Sequence, residues 1–185
     1  AGTVVDGDNG AAALAGARVV GFAAGDDPSG TPLFDLTTNA LGQYTVADEL
    51  AVGYYDLYVT KFGYLPYAET YFLLFGANDH EITVGQAPSG VLTGVVTELE
   101  SGAAVAGATL RVYRTDSSEL YDEVTSGADG SYTTGALPFF DYRVDVRASG
   151  RIPRSTVVTV GAATVEQDFV LEATNGNILV LNDNS

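Results

Sequence analysis

The sequence predicts an all-β chain of two tandem β-sandwich modules with one extra strand at its C-terminal end. The first observation is an internal repeat. Gly42, Tyr44, Leu50, Tyr55, Val59 and Gly63 reappear in order and at near-constant spacing as Gly130, Tyr132, Leu137, Tyr142, Val146 and Gly150. The second is the texture of the chain: short runs rich in Val, Thr, Tyr and Leu, broken by Gly, Asp and Asn every eight to twelve residues or so, without sustained 3.6-residue periodicity. The third is an apolar run, Ile178 to Leu181, lying beyond the point where the second copy should be finished.

The repeat resolves what length leaves open. A chain of 185 residues suits one large domain or two of about 90, and two copies argue for two modules, each large enough to bury its own core. The expected division is a first module over 1–86, a linker over 87–90 in the stretch Gln86-Ala87-Pro88-Ser89-Gly90, a second module over 91–173, and a connector over 174–185.

Within the modules the strands follow from alternation. Tyr55, Leu57 and Val59 should face inward while Asp56, Tyr58 and Thr60 face out, and Tyr142, Val144 and Val146 repeat the inward set. Gly16-Ala17 and Gly107-Ala108 open the strands Arg18 to Phe22 and Thr109 to Tyr113. Gly42 and Gly130 sit in turns where positive φ is needed ahead of a Gln/Ser-Tyr-Thr strand.

Composition narrows function. Hydrophobic residues make up 46% of the chain and charged residues 17%, so disorder is not expected, and no apolar run approaches the ~18 residues of a spanning helix. The formal net charge of −16, with Lys61 the only lysine, disfavours nucleic acid and anionic membrane surfaces as partners. With no cysteine, disulfides, thiolate metal sites and cysteine nucleophiles are excluded. The chain opens at Ala1 within a strand pattern, with neither Met nor a charged leader, as expected after signal-peptide removal or of an excised piece of something longer.

The order Gly-x-Val-Val, Gly-Ala before a strand, Gly-x-Tyr-Thr, Leu, Tyr-x-Leu/Val-x-Val and then Gly resembles the carboxypeptidase regulatory-like domains of the transthyretin-related superfamily. Its elements are Gly2 to Val5, Gly16-Ala17, Gly42 to Val46, Leu50, Tyr55 to Val59 and Gly63-Tyr64. The second copy supplies Gly94 to Val96, Gly107-Ala108, Gly130 to Thr133, Leu137, Tyr142 to Val146 and Gly150, and departs from the pattern at Pro138-Phe139-Phe140. The resemblance implies seven-stranded or so Greek-key sandwiches of transthyretin-like or Ig-like form. It also implies non-catalytic spacer, adhesion or accessory roles in secreted and cell-surface proteins.

Chemistry is sparse. His80, the only histidine, falls between expected strands and reads as a surface residue; one histidine supports neither a triad nor a three-ligand zinc site. Paired acids for glycoside hydrolysis are not marked by any spacing. Lys61 is the only donor for a lysine-asparagine cross-link, and the second module has none. No cofactor is expected; calcium is the one candidate ion. Asp6, Asp8 and Asn9 concentrate hard oxygen ligands in a turn, with Asp26, Asp27 and Asp129 elsewhere, but the spacing is not an EF-hand loop and a polar turn is the default.

Two features point to partners. Tyr54, Tyr58, Tyr64, Tyr67 and Tyr71, with Phe62, Phe72 and Phe75, crowd one stretch of the first module; most should pack internally, while Tyr64, Tyr67 and Tyr71 are candidates for a subunit or glycan contact. Ile178, Leu179, Val180 and Leu181 lie between Asn177 and Asn182, a strand needing cover on both faces, worth about 6 to 12 kcal/mol if fully buried. The segment could pack on its own module, begin a following α/β domain, or add to a second copy and build a head-to-tail polymer. The expected function is that of a non-enzymatic extracellular protein forming a surface filament. The alternatives are an accessory fragment of a larger secreted peptidase or hydrolase and a carbohydrate-binding adhesin.

Overall fold

The structure, a computed structural model, describes residues 1–47, 50–74 and 79–174. The chain divides into two compact units, Ala1–Pro88 and Ser89–Ser185. No helix is present among the described residues, and so none is long and apolar enough to cross a membrane.

The first unit contains β1 (Gly2–Asp6), β2 (Ala12–Ala13), β3 (Arg18–Ala23), β4 (Phe34–Thr37), β5 (Gln43–Tyr44), β6 (Gly53–Thr60), β7 (Tyr67–Leu73) and β8 (His80–Val84). One sheet is antiparallel in the order β4-β3-β6-β7. In the other, β2 and β5 pair antiparallel with successive parts of β1, and β8 runs parallel along all of it. The core lies between the sheets: Val4, Leu14, Tyr44, Ile82 and Val84 from one side meet Val19, Tyr55, Leu57 and Val59 from the other. The alternation expected along β6 is present, with Tyr55, Leu57 and Val59 buried and Thr60 exposed.

The second unit contains β9 (Ser89–Glu98), β10 (Thr109–Arg114), β11 (Leu120–Thr125), β12 (Ser131–Thr133), β13 (Leu137–Pro138), β14 (Phe140–Arg147), β15 (Arg154–Val160), β16 (Thr164–Glu166) and β17 (Phe169–Leu171). One sheet runs β11-β10-β14-β15; in the other, β9 pairs antiparallel with β12 and β13 and parallel with β16 and β17. Tyr142, Val144 and Val146 of β14 are fully buried. Ser89 and Gly90, read from sequence as linker, are the first residues of β9 and pair with Pro138 and Leu137. The Pro138 departure thus forms a short edge strand, where the missing N–H of proline costs no ladder bond.

The two units share a polar skeleton as well as a strand pattern. Buried Thr38 accepts from the Ala17 N–H (2.9 Å) and donates to the Leu14 carbonyl (2.6 Å); buried Ser126 accepts from the Ala108 N–H (2.9 Å) and donates to the Val105 carbonyl (2.7 Å). Tyr55 donates to the Ala51 carbonyl (2.8 Å) and Tyr142 to that of Pro138 (2.9 Å), each tying a strand to the chain four residues before it. The Thr38 and Ser126 bonds satisfy buried backbone groups, where an orphan would cost about 1–3 kcal/mol.

Candidate interaction site

The polar turn after β1 is built around Asp6, which is buried although its neighbours Asp8 and Asn9 are exposed. One Asp6 oxygen accepts from the Asp8 N–H (2.9 Å), and the other accepts from the Tyr64 hydroxyl (2.8 Å) and the Gln86 side-chain amide (2.9 Å). Asp8 accepts from the Gln86 N–H (2.6 Å). Asp6 and Asp8 are therefore brought together, but around protein donors, and a cation would have to displace those donors from Asp6. Among the described residues no three His, Asp or Glu side chains gather as a ligand set. Asp27 and Asp129 each accept from a serine two residues on, Ser29 and Ser131, as turn-forming side chains.

The Gln86 amide, together with the Tyr64 hydroxyl and the Asp8 and Asn9 N–H groups, holds the Asp6 carboxyl below the usual carboxylate range against an opposing effect of burial. A carboxyl whose folded pKa is depressed stabilises the fold fully above its unfolded value of 3.8, and that contribution is lost as pH falls through the folded pKa. Asp6→Asn should therefore lower the urea midpoint of the first unit at pH 7, with the gap to the unmodified chain closing progressively below about pH 4.

Tyr64, Tyr67 and Tyr71 are not an open aromatic surface. All three are half-buried and pack on the core of the first unit. Tyr64 is committed to Asp6, Tyr67 donates to Glu69 (3.1 Å), and Tyr71 stacks on the His80 ring with centroids 4.1 Å apart. The reason is the register of β7: Tyr67, Glu69, Tyr71 and Leu73 point inward, while Ala68, Thr70 and Phe72 point out. The exposed pair is instead Tyr54 and Phe72, directly opposite each other on β6 and β7, with centroids 4.7 Å apart.

His80 also departs from expectation. It is no surface loop residue but the first residue of β8, with a side chain only 17% exposed and Nε2 lying 3.0 Å from Glu69. This contact links the edge strand of one sheet to the edge strand of the other. An inward carboxylate needs such a partner, and β7 supplied no periodicity signal that its partner would be His80. Lys61 Nζ donates to the Ala15 carbonyl (2.6 Å).

Beside this pair is an apolar cavity of about 50 Å³ lined by residues including Phe34, Tyr44, Leu50, Leu57, Tyr71 and Leu73, with His80 at its margin. Burial, reinforced by Glu69, Tyr71 and Tyr67, pushes the Tyr44 hydroxyl up to about 12, so it stays protonated as a neutral wall. The candidates Ile178, Leu179, Val180 and Leu181 lie outside the described residues, as does Phe75.

Residues 91–172 match the family model of the carboxypeptidase regulatory-like domain. The second unit is thus similar to carboxypeptidase regulatory-like domains. The first unit repeats the buried hydroxyl and the tyrosine bonds of the second and its pattern of one antiparallel and one mixed sheet. No curated protein sequence matches the chain. Among solved structures, the chain is similar to the minor pilin GBS52 of Streptococcus agalactiae (TM-score 0.54, 14% identity, over 88% of this chain and 84% of that one). It is also similar to the shaft pilin spaA of Lactobacillus rhamnosus GG (TM-score 0.51, 15% identity, over 94% and 96%). The Bacillus anthracis TIE protein overlays 93% of the chain at a TM-score of 0.44 and 17% identity, and this chain spans 33% of that one. At these identities what is shared with the two pilins is the β-sandwich fold.

Proposed function

We propose that the chain is a non-enzymatic extracellular structural protein whose sandwiches are the blocks of a surface filament, joined by strand addition through Ile178–Leu181. The observation that carries this reading is the use of its recurrent polar side chains. Thr38 and Ser126, and Tyr55 and Tyr142, bind backbone carbonyls or amides, so what the duplication repeats is a framework. The fold held in common with a shaft and a minor pilin supports it. Full-length chain should form polymers visible in negative stain, and deletion of residues 177–185 should leave monomers with an unchanged β-sheet spectrum. Undiminished polymer after the deletion would overturn the connector.

The family match favours one further reading, that of an accessory module in a larger secreted peptidase or hydrolase, in which Ile178-Leu179-Val180-Leu181 opens the next domain. Under that reading the full chain stays monomeric at every concentration.

A further inference from the structure

Strand β7 is an edge of its sheet: among the described residues it pairs with β6 alone. Its last residues are apolar on both faces. Inward, Tyr71 and Leu73 line the cavity shared with Leu50 and Leu57. Outward, Phe72 is 42% exposed and rests on Tyr54, itself 61% exposed. An edge of this kind invites another strand, since its outer N–H and C=O groups can extend the ladder while both faces offer apolar contact.

The corresponding edge of the second unit is built differently. On β15, Val158 and Val160 are sealed in the core, and outward Ser155 and Thr159 donate to Asp145 and Asp141. The inner side of that edge carries buried Val158 and Val160, and its outer side is largely polar. In the first unit an edge strand meets an apolar cavity on its inner side and an aromatic pair on its outer side.

Four consecutive apolar residues in a strand send side chains alternately to both faces, so Ile178-Leu179-Val180-Leu181 requires apolar surroundings above and below. We propose that β7 of the first unit is the acceptor edge for Ile178–Leu181 of a second copy. The segment spans about 13 Å, well within the seven residues of β7, and its flanking Asn177 and Asn182 return the chain to water. Alternate aliphatic side chains reach the cavity beside Tyr71 and Leu73, and the others cover Tyr54 and Phe72. Glu69 sets the limit of the register: an aliphatic chain pressed against it would strip water from a carboxylate that lies beside His80 and accepts from Tyr67. The proposal rests on the filament reading and names its contact.

The absence of cysteine makes trapping direct. Full-length Val180→Cys is mixed with differently tagged full-length Thr70→Cys, on the outer face of β7, or with Val157→Cys, exposed on β15. Mixed disulfides with Thr70→Cys should exceed those with Val157→Cys by about tenfold. Tyr54→Lys with Phe72→Lys should abolish polymer while the sheet spectrum is retained. If deletion of 177–185 abolishes polymer but trapping favours β15 or neither edge, or the double lysine variant still polymerises, the acceptor is wrong and the connector stands. If the deletion leaves polymer intact, the connector fails and the acceptor with it.

Discussion

Phe169→Ala is expected to lower the unfolding free energy of the second unit by about 3–5 kcal/mol, the range for deleting a fully buried aromatic ring. Phe169 is 1% exposed, stands on β17 opposite Val96, and packs on Tyr132 with ring centroids 5.9 Å apart. Tyr132 in turn donates its hydroxyl to the Gln167 carbonyl, so the ring gap cannot close by swinging Tyr132 inward without breaking that bond. The loss should appear in urea unfolding as a lower midpoint with little change of slope. In the first unit the same place opposite Val4 is held by Ile82, fully buried and smaller, so Ile82→Ala should cost about 2–5 kcal/mol. A change under 1 kcal/mol at Phe169 would mean that the second sandwich does not close on this ring.

Gly130→Ala is expected to destabilise the second unit by about 2–5 kcal/mol, because two penalties coincide. Its φ of 77° lies in the left-handed region, where a side chain costs about 1–2 kcal/mol. A Cβ there would also stand 2.5 Å from the Val96 carbonyl oxygen, and such crowding adds about 1–3 kcal/mol. The backbone cannot simply back away, since the Val96 N–H donates to the Gly130 carbonyl at 2.9 Å. Gly42 is its counterpart, with φ of 71°, the same 2.5 Å approach to the Val4 carbonyl and the matching bond from the Val4 N–H. Gly150 is the control. Its φ is 67° but no atom lies near the added Cβ, so Gly150→Ala should show only the conformational part, about 1–2 kcal/mol. Equal losses at Gly130 and Gly150 would remove the steric half of the explanation.

The legible part of the molecule was the part governed by neighbours along the chain. Alternation placed Tyr55, Leu57, Val59 and Tyr142, Val144, Val146 in the two cores, and repetition marked Gly42 and Gly130 as turn glycines. The candidate site was read less well. Asp6 looks like a hydrated turn acid until Tyr64 and Gln86, 58 and 80 residues further on, are folded against it. Tyr67 and Tyr71 look like exposed aromatics until the register of β7 turns them inward. Thr38 and Ser126 carry no repeat signal at all, because the hydroxyl is common to two different residue types and the bonds they make run to distant backbone.

By itself the sequence determined two β modules, their inward faces and their special glycines, since strand periodicity and left-handed turns are consequences of local stereochemistry. Tertiary structure alone decided that His80 closes on Glu69, that Asp6 is buried among donors, and that β7 is left as an edge with an unfilled interior. Those outcomes depend on which strands pair across long loops and on how completely two facing sheets fill the space between them. Neither quantity is written in any short stretch of residues.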